Sequence, residues 1–433
     1  MTSSKHGSFT GRALRRGTPA LLAAVTIVGA AACSSSSSGS SSSTGSSATA
    51  SGSASGSAAS TVGLSQFLPG TKASGTPIKI GLINNEGSSP IAAPEVGNAA
   101  VAAVDYANAE LGGIAGHPID VVRCAENEDT ASATACANEM VQDNVAAVDI
   151  GTTGEGSVMV PIITKAGIPY VTVTGTATQE LTTPLAYSWS GGYEATLNGA
   201  ASYAKQAGLK KVVAFVVSTP SAVVGAKQLG IPIFKADGVT LTIEPVPEGV
   251  PDATAQVTAG LSGGVDAALT IADESTCTSV LKALNVVNPT LPKLVITPCF
   301  TTSAVQALGS AMNGVKVFGS SAPQANDAEG KLFQYVMATY APSTSPSGDA
   351  VVGYQGMLGL VRSVTAGGLT GTPTPASVNA AIKTAKNVPL PAAAGLTFTC
   401  NGKALPTLPS ICSLGEVMVT VQNGVGTSAQ VFS

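Results

Sequence analysis

Charge is scarce in this chain of 433 residues: Asp, Glu, Lys and Arg make up 11% of it, against roughly 25% in ordinary globular proteins. Aromatics are scarcer, at 4% with one tryptophan, so few rings are at hand to wall a ligand pocket. The two histidines, His6 and His117, leave little for general-base chemistry at neutral pH. A Ser/His/Asp triad would rest on His117 alone, inside the turn Gly116-His117-Pro118. No Gly-x-Ser-x-Gly elbow, P-loop, HExxH or dinucleotide fingerprint occurs, so an enzyme is not expected, nor a cofactor. None of the seven cysteines forms a CxxC pair and no histidine stands near them, which argues against a metal site. Beyond Ala32 no apolar run reaches the roughly 18 residues that a membrane helix needs.

What the sequence does have is a marked beginning. Lys5, Arg12, Arg15 and Arg16 precede an apolar stretch from Leu21 to Ala32, the pattern of a secretory signal over residues 1–32. Ala30, Ala31 and Ala32 stand directly before Cys33, which resembles the lipobox of bacterial lipoproteins. That resemblance implies lipidation at Cys33 and attachment to the outer face of the cytoplasmic membrane. Residues 33–76 are dominated by serine and glycine and are expected to form a flexible tether, with a reach of roughly 35 Å. Without the first 32 residues the chain keeps 17 Lys and Arg against 25 acids, a net charge of minus eight, and nucleic acid is not an expected partner.

Residues 77–433 number 357, more than one core usually serves, so two lobes are expected. Apart from Cys33 there are six cysteines, which allow 15 pairings. Sequential pairing, Cys124–Cys136, Cys277–Cys299 and Cys400–Cys412, closes three short local loops and is favoured for that reason. The last pair is expected to staple a hairpin around Asn401-Gly402.

Short β-rich runs alternate with helical ones: 78–83, 119–123, 146–151 and 170–175, then 212–217, 241–246, 267–272, 294–297 and 315–319. Several, such as Val212-Val213-Ala214-Phe215-Val216-Val217, are apolar on successive residues, which suits strands covered on both faces. The spacing of Ala100, Val104, Ala107 and Leu111 predicts a helix that Gly112-Gly113 ends. The fold class is therefore α/β, two Rossmann-like lobes with parallel sheets. In such sheets ligands bind outside the carboxyl ends of the strands. Those ends here, among them 84–89, 152–157, 176–178, 218–221 and 273–276, are small, hydroxylated and glycine-rich, and their amides at helix starts favour an anion such as a carboxylate.

Ile78-Lys79-Ile80-Gly81-Leu82-Ile83, Asn108-Ala109-Glu110-Leu111-Gly112-Gly113-Ile114-Ala115-Gly116, Gly167-Ile168-Pro169-Tyr170-Val171 and Gly395-Leu396-Thr397-Phe398 occur in the order and spacing of one family. With them the chain resembles the periplasmic branched-chain amino-acid (leucine) binding proteins, the type I substrate-binding proteins of ABC importers. The resemblance implies a Venus-flytrap of two lobes joined by three crossings, with 77–188 and 323–388 in the first lobe and 189–322 and 389–433 in the second. It implies a monomer that binds an amino acid or similar small polar molecule and delivers it to an ABC permease; a ligand-sensing ectodomain on the same fold is the alternative. The loops carried over are Thr153, Gly154, Glu155 and Ser157, then Gly175, Thr176 and Thr178. From the second lobe come Asp273, Glu274 and Phe300, with Trp189 and Tyr193 near the first crossing. Relatives commonly carry serines where this chain has Thr153, Gly154 and Glu155, and Glu155 would then face a ligand ammonium group.

Overall fold

A computed structural model describes residues 63–87 and 92–432. The signal segment, Cys33, most of the tether, and Ser88 and Ser89 of the first loop lie outside those residues.

Five parallel strands make the first sheet: β1 (Ile78–Asn85), β2 (Ile119–Glu126), β3 (Val148–Ile150), β4 (Tyr170–Thr174) and β5 (Ala186–Ser190), in the order β2-β1-β3-β4-β5. The second has seven: β6 (Lys211–Val217), β7 (Thr240–Val246), β8 (Ala267–Ile271), β9 (Lys293–Ile296) and β10 (Lys316–Gly319), then β13 (Glu416–Gln422) and β14 (Val425–Phe432). Between them in sequence, β11 (Val388–Pro389) and β12 (Thr397–Phe398) pair only with each other. β6 to β10 run parallel, and β13 and β14 close one edge as an antiparallel hairpin. Continuous apolar runs form the central strands because both faces are covered: all of Val212 to Val216 is buried. Crossover helices do the covering, and alternating strand and helix forces the parallel order.

The predicted helix is there, Pro94–Glu110, with Pro94 at its first turn and Gly112 and Gly113 at φ of 79° and 65° just beyond its end. It packs so closely on the helix Ala350–Ala366 that a Cβ on Gly353 would collide with the Val96 carbonyl oxygen.

The three sulfur pairs are Cys124–Cys136, Cys277–Cys299 and Cys400–Cys412, with Cα separations of 5.6, 5.3 and 4.3 Å. The expected hairpin at Asn401-Gly402 does not form; residues 401–410 are an irregular loop closed by the disulfide. An Asn-Gly hairpin forms instead at Asn423-Gly424, with φ of 52° and 77°, between β13 and β14.

Two boundaries differ from expectation. The folded body starts before Pro77: Leu64 is fully buried, the Tyr106 hydroxyl donates to the Phe67 carbonyl at 2.6 Å, and Thr71 N donates to the Glu110 carbonyl at 2.9 Å. Leu64, Phe67 and Leu68 give this stretch the apolar anchors that the serine-rich part lacks. The segment 389–412 belongs with the first sheet, not the second, since Ser188 N donates to the Ser410 carbonyl and Cys412 N to the Ser188 carbonyl, both at 2.9 Å. The chain thus passes between sheets at 191–192, 320–327 and 413–415. At the last crossing Glu416 is 1% exposed, and its Oε1 accepts from Thr196 Oγ1 at 2.8 Å.

Burial pushes the Glu416 carboxyl up to about 8, against the opposing pull of the Thr196 bond. The folded state therefore holds this proton more tightly than the unfolded chain does. The stabilisation is complete below the unfolded value near 4.5 and is lost as pH rises through about 8. Asp149, fully buried against Gly356, acts in the same direction. Denaturant melts of Glu416→Gln between these limits should show a flatter pH dependence than the parent; equal slopes would exclude a protonated Glu416.

Candidate functional site

Between the loop after β4 and the carboxyl ends of the second sheet lies a cavity of about 520 Å³. Its floor is Val217 at the end of β6, Ile271 and Ala272 at the end of β8, and Ile296 at the end of β9. Ala222 and Gly225 of the helix Pro220–Gly225, with Leu229, form one side. Tyr193 and Glu194 open the helix Tyr193–Gln206 on the other, and Thr176 reaches in from the first lobe. This is the place expected for an α/β ligand site, where strand ends and helix starts converge.

The wall is mainly aliphatic. Its polar residues are Thr176, Tyr193 and Glu194; among the described residues no Lys, Arg or His lines it. The phenol donates to the Ala222 carbonyl at a long 3.4 Å, and burial pushes it up to about 12. Burial likewise raises the Glu194 carboxyl, partly offset by its own backbone N–H.

Of the twelve ligand-contact residues predicted from sequence, Thr176 and Tyr193 line this cavity. Trp189 does not, which corrects the reading from its position near the crossing. The ring is fully buried, stacks on Phe398 at 4.6 Å, and donates through Nε1 to the Gly356 carbonyl at 3.2 Å. Phe300 is half-buried and packs beside Gly426 of the terminal hairpin.

The first loop is held by its own neighbours. Glu155 accepts from Thr130 Oγ1 at 3.1 Å, Gly154 N donates to Glu128 Oε1 at 2.5 Å, and Thr153 Oγ1 accepts from Glu155 N at 3.0 Å. Ser157 is exposed on the helix Gly156–Lys165. In the second loop Gly175 N donates to Ser188 Oγ at 2.9 Å, and Thr178 is exposed in the first turn of Thr178–Thr182, where its carbonyl accepts from Thr182 Oγ1. The amides of Thr176 and Ala177 both donate to Glu180 Oε2, at 2.8 and 2.9 Å.

Asp273 caps the helix Glu274–Val287. Burial alone would raise its carboxyl, but hydrogen bonds from Thr276 and Ser275 outweigh it and hold it below the usual range. Glu274 accepts from Ser303 Oγ at 2.5 Å. These two stand at the rim, next to the lining Ala272.

Sequence reasoning missed Glu194 and the aliphatic floor. Strand-end Val, Ile and Ala read as core, and only the second lobe's placement against Thr176 turns them into a wall.

Residues 77–408 match the family described as periplasmic binding protein. The chain belongs to that family. No curated protein matches its sequence. Among solved structures it is similar to an ABC transporter substrate-binding protein from Sphaerobacter thermophilus, at 15% identity and a TM-score of 0.67 over 82% of this chain and 98% of that one. It is also similar to the branched-chain amino acid transporter substrate binding protein of Streptococcus pneumoniae in complex with isoleucine, at 20% identity and 0.60 over 82% and 99%. A solute binding protein of an R. palustris ABC transporter in complex with 4-hydroxybenzoate gives 18% and 0.62 over 82% and 97%. At these identities the likeness establishes the type I two-lobe fold. A role in binding solutes follows from the family. Among the described residues no helix is long and apolar enough to cross a membrane.

Proposed function

We propose that this chain is the exported solute receptor of an ABC importer, anchored through lipid on Cys33 and held off the membrane by its Ser/Gly tether. It takes one small molecule between its lobes and presents the closed form to a permease. The cavity between Thr176 of one lobe and the strand ends of the other is the observation that supports this reading. Its aliphatic floor suits a ligand with an apolar body, a property common to the isoleucine and 4-hydroxybenzoate of the two similar structures. Lys5 to Ala32 and the alanines before Cys33 support export and lipid attachment.

A thermal-shift screen of amino acids, amines, carboxylic acids and polyols should find at least one stabilising class. Ala222→Trp, which fills the cavity from its side wall, should lower the affinity of any hit by at least tenfold. Unchanged affinity in that variant places the ligand elsewhere. Mass spectrometry of the membrane fraction should find a diacylglyceryl Cys33 at the mature start; an intact residue 32–33 bond in the exported form would remove the lipid anchor.

A further inference from the structure

At the carboxyl end of β2 two carboxyl groups are folded onto one another. Glu126 is the last residue of the strand and is fully buried. Its Oε2 accepts at 2.6 Å from the amide of Glu128, whose backbone is left-handed, with φ of 58°. The Glu128 side chain in turn reaches the loop after β3, where its Oε1 takes the Gly154 amide. One oxygen of each carboxyl is left over. Glu126 Oε1 and Glu128 Oε2 are closed off from solvent and have no hydrogen-bond partner among the described residues. The Thr153 hydroxyl stands beside Glu126.

No opposite charge answers this pair. Residues 124–131 and 150–158 contain no Lys, Arg or His and add two more acids, Asp129 and Glu155. Arg123 is engaged elsewhere, with both carboxylate oxygens of Glu86 and with Asn98 Oδ1. Asp129 is spent on the amides of Ala131 and Ser132, and Glu155 accepts from Thr130 Oγ1. Burial raises the Glu126 carboxyl, the Glu128 amide and the Thr153 hydroxyl pull it down, and the neighbouring Glu128 charge raises it again. Two adjacent carboxylates held away from water repel each other, so a proton or a bound cation must offset them.

The donor set favours a hard cation. It is all oxygen, two carboxyls and a hydroxyl, while the nearest sulfurs, Cys124 and Cys136, are closed in a disulfide. Oxygens supplied from two loops suit the irregular shell of calcium better than the near-octahedral shell of magnesium. We propose that Glu126 and Glu128 together bind one calcium ion, with Thr153 Oγ1 and water completing its shell, and that the ion ties the loop after β2 to the loop after β3. None of these residues lines the cavity, so the site stands apart from the solute-receptor reading.

Calorimetry and thermal melts on the full exported chain, stripped of divalent ions with EGTA, test it with the chlorides of calcium, magnesium and sodium. Calcium should bind once, with a Kd of about 0.1 to 1 mM, and raise the melting temperature. Magnesium should bind at least tenfold more weakly, and sodium chloride at equal ionic strength should have no effect. Glu126→Gln and Glu128→Gln each keep an oxygen for the amide bonded there and remove only the charge. Both should weaken calcium at least tenfold, melting at or above the parent without calcium and below it with calcium. Glu248→Gln, at an exposed acid in the second lobe, should change neither property. A carboxylate with only a structural role would instead lower the melt in both conditions when replaced. Absence of calcium binding up to about 10 mM overturns the proposal and leaves the pair sharing a proton. Calcium affinity unchanged in both glutamine variants, or equal affinity for magnesium, overturns it as well.

Discussion

Trp189→Ala is expected to destabilise the folded chain by about 3 to 5 kcal/mol, the usual cost of emptying a buried site of that size. The ring is fully enclosed between Phe398 and the helix Ala350–Ala366, close above Gly359, where a Cβ would stand 2.9 Å from the indole nitrogen. Removing it leaves a void and loses both the stacked contact and the indole N–H bond to the Gly356 carbonyl. Guanidinium melts followed by circular dichroism measure the loss, and a change below about 1 kcal/mol would mean that the ring is not packed as described. Because this is the only tryptophan, the parent protein offers an independent check. Its emission should be that of an indole shielded from water and should not move when a ligand binds, whereas a ring in the cleft would respond.

Glu180→Ala should cost roughly 3 kcal/mol and loosen the loop that carries Thr176. The Glu180 side chain is 3% exposed and gathers three donors: the Tyr170 hydroxyl at 2.5 Å and the amides of Thr176 and Ala177. Each buried donor left without a partner costs about 1 to 3 kcal/mol, and the exposed loop allows water to recover part of this for Thr176. Glu180→Gln keeps one oxygen for the two amides and offers the phenol a different partner, so it should recover at least half of the loss. Amide exchange at Thr176 and Ala177 separates the two variants: fast in alanine, slow in glutamine. Equal protection in parent and alanine variant would show that the loop holds itself.

Glu180 also explains part of what the sequence left open. A glutamate three residues after Ala177 at a strand end reads as an ordinary first-turn acid, and the loop amides then read as free for a ligand. Only the fold brings Tyr170 and the space above Gly156 to the same carboxyl, where even a Cβ on that glycine would not fit. Trp189 is a similar case. Its position near a crossing is visible in the sequence, but whether a ring there faces the cleft or the core depends on Phe398, more than two hundred residues away.

Strand positions, by contrast, were legible. The runs at 78–83, 212–217 and 267–272 lie within or against β1, β6 and β8, because a strand covered on both faces must be apolar along its length. The helix ending at Gly112-Gly113 and the three sequential disulfides were legible for related reasons, since positive φ and short loops are local properties.

The order of residues by itself decided the alternating α/β plan, the two lobes and the pairing of the cysteines, all of which depend on neighbours along the chain. Which residues form the cavity was decided by tertiary structure alone. Val217, Ile271 and Ile296 come from three strands and Glu194 from a helix after a crossing, and nothing local distinguishes their side chains from core until folding sets them across from Thr176.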